Sequence, residues 1–68
     1  MPNNKPQIEM KNLSIIDDQL SHEALAVKKY RQAAQMCSSQ DLIDLCNQAA
    51  QKHRKNYDDL LNYLNSHQ

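Results

Sequence analysis

The chain contains no glycine, no tryptophan and no phenylalanine, and its only aromatic residues are three tyrosines. Without glycine there is no glycine-rich loop whose backbone amides could cradle a phosphate, which excludes nucleotide sites of that type. Few aromatics among 68 residues that are 40% apolar leave thin material for an independent core, so one small domain that self-associates is expected. Nor does either sign of charge dominate: eight bases and eight acids give a formal net charge of zero and are mixed along the chain. That mixture offers no phosphate-binding surface. The most basic stretch, Lys52, Arg54 and Lys55, is followed one turn later by Asp58 and Asp59, which are placed to pair with Arg54 and Lys55. A solvated, internally paired face is expected there, and no nucleic-acid partner.

Long apolar runs are missing too. Nothing approaches the roughly 18 residues needed to cross a bilayer, and no charged-then-apolar leader opens the chain, so a soluble cytoplasmic protein without a membrane partner is the expectation. Only two cysteines occur. On helical register Cys37 and Cys46 are offset by roughly 10 Å, beyond the usual Cα separation of a disulfide, and they lack the paired spacing of a structural zinc site. Free, core-filling thiols are expected.

What is present is helical periodicity. Ile16, Leu20, Glu23, Val27, Tyr30, Ala34 and Cys37 recur at alternating spacings of four and three, a heptad seam with one polar member. A second seam reads Leu42, Cys46, Ala49, His53, Asn56, Leu60 and Tyr63, broadened by Leu45, Tyr57, Leu61 and Leu64 into a stripe wide enough for two neighbours. Ser14, three residues before Asp17, marks a start for the first helix, and Ser38 with Asp41 marks one for the second. The expected organisation is a flexible N-terminal tail over 1–13, in which Ile8 and Met10 are candidates to dock locally, then a helical hairpin over 14–65. Its helices cover about 14–37 and about 41–65, with a turn at 38–40.

Each seam carries one ionisable residue. Glu23 lies about 15 residues before the turn and His53 about 14 after it; at 1.5 Å per residue both stand roughly 21 to 23 Å from the turn and should face each other. A twofold dimer of hairpins would bring two of each towards one axis, and carboxylate oxygen with imidazole nitrogen suits zinc, iron or manganese. The alternative is a buried hydrogen-bonded pair that fixes helix register. His22 reads as a surface residue beside the seam and His67 as part of a fraying end. Tyr30 and Tyr57 read mainly as packing, with hydroxyls that could reach the central layer. No serine or cysteine has a base at matching height, which leans against enzymatic catalysis.

The run His22-Glu23 followed by Tyr30, then Gln51-Lys52-His53 followed by Tyr57 and Leu60, resembles one hairpin of the ferritin-like superfamily. The spacing is most similar to short spore-coat proteins of the coat F type, over about Asp17 to Leu64. The resemblance implies an all-α fold in which two antiparallel hairpins dimerise into a ferritin-like four-helix bundle. It also implies metal ligands at Glu23 and His53, with iron or zinc as the metal. One departure weakens the metal reading: Ala50 stands where the second helix of metal-loaded relatives has the glutamate of Glu-x-x-His. A dimer would then offer two Glu and two His, enough for one tetrahedral ion but not for an oxygen-activating di-iron centre. The expected function is therefore that of a non-enzymatic structural or interaction protein, with spore-coat context. A metal-binding bundle at Glu23 and His53 is the first alternative, and a module that accepts a partner helix is the second.

Overall fold

The computed structural model describes residues 8–67. Two α-helices of 27 residues each, α1 (Met10–Met36) and α2 (Gln40–Ser66), pack side by side as an all-α antiparallel hairpin. Residues 37–39 join them. Cys37 (φ −80°, ψ 146°) and Ser39 (φ −86°, ψ 128°) are both extended, so two ordinary β-region residues reverse the chain. No positive φ occurs among the described residues, which explains how a chain without glycine makes so short a connection.

The helix starts differ from the serine-marked positions. α1 begins at Met10, four residues before Ser14, and the amide of Leu13 bonds the carbonyl of Glu9 at 2.9 Å. Half-buried Leu13 extends the stripe of Ile16 and Leu20 by one step, so packing carries the helix past the capping signal. Of the tail expected over 1–13, residues 10–13 are thus helical and 1–7 lie outside the described residues. Ile8 is half-buried, while Met10 is 86% exposed. α2 begins at Gln40 with Ser39, not Ser38, as the preceding residue, and neither helix start uses a side-chain cap. Its first turn holds Asp41, where the helix dipole favours an acid.

The core is slight. Val27, Ala34 and Ala50 are its buried apolar members, and Glu23 is buried among them. Along α1 the inward residues follow the expected stripe, although Tyr30 remains 38% exposed. Along α2 one of the two inward columns is shifted by a residue. Ile43, Ala50, Tyr57 and Leu64 turn inward with Cys46, His53 and Leu60, while Leu42, Asn56 and Tyr63 are exposed. The reason is the breadth of the stripe. A hairpin supplies one neighbour to each helix, and one neighbour covers only one flank of an apolar surface this wide.

A hairpin is also a thin object, and the Cα trace spans only 10 Å in its shortest dimension, too little for a second helix layer stacked about 8–10 Å away. Both broad faces are therefore open. On the surface, Arg54 pairs with Asp58 at 3.3 Å and Lys55 with Asp59 at 2.8 Å, the internal pairing expected from their spacing. Both pairs are exposed and contribute little to stability. No described helix is long and apolar enough to cross a membrane.

Candidate functional site

Glu23 is the fourteenth of the 27 residues of α1, and His53 is the fourteenth of the 27 of α2. Each is thus the midpoint of its helix, and the antiparallel register brings the two together. His53 Nδ1 lies 2.8 Å from Glu23 Oε2. The glutamate side chain is 7% exposed and the imidazole 28%, so the carboxylate sits inside the layer and the ring closes over it. The hydrogen bond from His53 holds the Glu23 carboxyl below its ordinary value of 4.5; burial opposes this, and the Asn56 side chain and the fields of His53 and His22 reinforce it. An ionised carboxylate can only accept, so Nδ1–H of His53 is the donor. That fixes the tautomer of the neutral ring and leaves Nε2 as an acceptor or ligand atom.

Tyr30 completes the layer. Its ring stacks on the His53 imidazole with centroids 5.5 Å apart and planes within 16°. Helical side chains lean towards their own N-terminus, so Tyr30 reaches away from the turn while His53 reaches towards it, and rings that start at different heights meet. The tyrosine therefore acts through its ring face rather than through its hydroxyl. Asn56, one turn beyond His53, is the other contributor that the seam contained but chemistry alone did not mark.

Two grooves open on the same face of the hairpin, on either side of this layer. One of about 480 Å³ is lined by His22, Leu25, Ala26, Lys29, Tyr30, Ala33 and His53. The other, of about 410 Å³, is lined by Gln19, Glu23, Asn56, Asp59, Leu60 and Tyr63. The opposite face has a smaller groove of about 310 Å³ at Ala24, Val27, Arg54 and Tyr57. Ala50 is 2% exposed, so its methyl group lies in the helix interface, three residues before His53.

One hairpin brings two metal-ligating groups together, and they bond each other. No cluster of three or more His, Cys, Asp or Glu side chains is formed among the described residues. His22 is exposed on the groove wall. His67 is organised rather than frayed: its ring stacks on Tyr63 at 3.9 Å, its Nδ1 bonds the Tyr63 carbonyl at 2.7 Å, and its amide bonds the Leu64 carbonyl. It closes the end of α2, far from the central layer.

Cys37 and Cys46 are both half-buried free thiols. Burial pushes the Cys46 thiol up, and the neighbouring Cys37 sulfur raises it further.

The chain matches no family model, no curated protein and no solved structure.

Proposed function

We propose that this protein is a non-enzymatic structural or interaction protein whose hairpin supplies half of a four-helix bundle, the second half coming from another copy. The observation that carries this reading is the set of large apolar side chains left open: Ile15, Leu25, Tyr30, Leu42, Leu45 and Tyr63 are each 38% to 60% exposed. Exposed apolar surface of this extent marks an association site. In such a bundle the Glu23–His53 pair is a buried polar layer that sets the register of the helices. The resemblance of the Glu23 and His53 spacing to coat F type proteins is what supports a spore-coat context for the assembly, with synthesis in the cytoplasm. Light scattering at low micromolar concentration tests the reading. A dimeric mass is expected, with an interface of about 1,500 Å² or more in total, and Leu60→Asp should dissociate and unfold it together. A monomeric mass with full helicity would refute it.

A second reading rests on the unused Nε2 of His53 and the second oxygen of Glu23. Two hairpins would offer two carboxylates and two imidazoles to one tetrahedral iron or zinc ion. Elemental analysis of the native protein and Glu23→Gln separates the two readings, since an amide is a poor ligand and would strip a stoichiometric ion. Background metal in both proteins leaves the structural pair. A third occupant of the open face, a helix from a different protein, would appear as a monomer that gains mass only with that partner.

A further inference from the structure

Resting on the proposed self-association, we infer that the second copy docks on the grooved face about a twofold axis perpendicular to the helices at the height of Glu23 and His53, so that the two turns lie at opposite ends. The face is identified by exposure. Leu25, Tyr30 and Tyr63 line its two grooves, and helical spacing adds Ile15, seven residues before His22, and Leu42 and Leu45, on the column of Ala49, Asn56 and Tyr63. These six side chains are each 38% to 60% exposed. At roughly 100 Å² apiece, about half of what a large side chain buries, they offer about 600 Å². The alanines between them bring the total towards the roughly 800 Å² per partner of a stable interface.

The axis follows from the midpoints and from charge. A perpendicular twofold at the middle of both helices keeps their whole length in overlap and sets each residue against the one equally far on the other side of the midpoint. Ile15, eight before Glu23, then meets Tyr30, seven after it. Leu45, eight before His53, meets Leu60, seven after, and Leu42 meets Tyr63 in the same way. At the rim, Asp18 lies five residues before Glu23 and Lys29 six after, so each acid faces the other copy's base. The alternative twofold, parallel to the helices, stacks α1 on α2 of the other copy at equal height and sets Asp18 against Asp59, like against like. Rim charges of this kind decide orientation between arrangements of similar packing.

The test is crosslinking in trans. Asp18 and Lys29 stand on one helix about 16 Å apart, too far for an intrachain bridge, and both are exposed, so their replacement leaves the core intact. The chain carrying Asp18→Cys and Lys29→Cys, oxidised and mapped by mass spectrometry, is expected to give a covalent dimer linked 18 to 29. Asp18→Lys should weaken the dimer and a further Lys29→Asp should restore it. A wild-type dimer whose variant carrying Asp18→Cys and Asp59→Cys gives a covalent dimer linked 18 to 59 between copies would overturn the axis while keeping the self-association. A wild-type dimer that forms neither link would overturn the face. A wild-type monomer would overturn the self-association itself.

Discussion

His53 donates from Nδ1 to Glu23 Oε2 across 2.8 Å, and the two residues are the midpoints of helices of equal length. This symmetry gives the hairpin one chemically distinct layer with thirteen residues of helix on either side. Four expectations follow from the layer and its surroundings.

The first concerns acid. Because the folded protein holds the Glu23 carboxyl below its ordinary value of 4.5, the unfolded chain binds the extra proton first as pH falls. The stabilisation is therefore fully present above about 4.5 and disappears as pH drops through the lower folded value. Thermal unfolding followed by circular dichroism between neutral pH and pH 3 should show the wild type losing its advantage over Glu23→Gln across that interval. A constant difference in Tm would show that the carboxylate is not held by His53.

The helix interface at Ala50 is the second. Its methyl group is 2% exposed, so Ala50→Leu forces the helices apart and should cost about 1–3 kcal/mol. In a domain of this size each kcal/mol lowers Tm by roughly 4–8 °C. Ala50→Ser, close in volume, should cost less, and equal losses for the two would rule out a steric origin.

Stacking of Tyr30 on His53 supplies the third. A double-mutant cycle with Tyr30→Leu and His53→Ala should return a coupling of about 0.5–1.5 kcal/mol. Tyr30→Phe keeps the ring and should retain that coupling. If Tyr30→Phe loses it, the hydroxyl rather than the ring face makes the contact.

Thiol reactivity is the fourth. Burial and the Cys37 sulfur raise the Cys46 thiol above its ordinary 9.0, so less thiolate is present at mildly alkaline pH and alkylation by iodoacetamide should be slower than for an exposed cysteine. Cys37→Ala removes part of the cause and should accelerate labelling of Cys46. Protein purified without reductant should show no intrachain bridge by mass spectrometry.

The hairpin, the pairing of Glu23 with His53 and the ion pairs of Arg54 and Lys55 were all legible in the sequence, since each depends on spacing and axial rise alone. The start of α1 was not. Ser14 and Asp17 form a recognisable signal, but the apolar step at Leu13 outweighs it, and a helix will run past a cap when packing continues. The inward column of α2 was also ambiguous. Leu42, Asn56 and Tyr63 share one flank of a broad stripe while Ile43, Ala50, Tyr57 and Leu64 share the other, and periodicity gives both flanks the same weight. Only the position of α1 decides between them. The contact of Tyr30 with His53 needed the lean of side chains along the helix, which residue spacing does not record.

Helices open from their ends, where the terminal turns have the fewest neighbours. The positions farthest from every end are 23 and 53. The hydrogen bond between them is thus expected to break last among the tertiary contacts as the hairpin frays, and amide exchange should be slowest in the turns beside it. Among the described residues Glu23 is the buried charged group, and it sits where opening from the ends arrives last, so its clasp on His53 is expected to outlive the apolar packing of the outer turns.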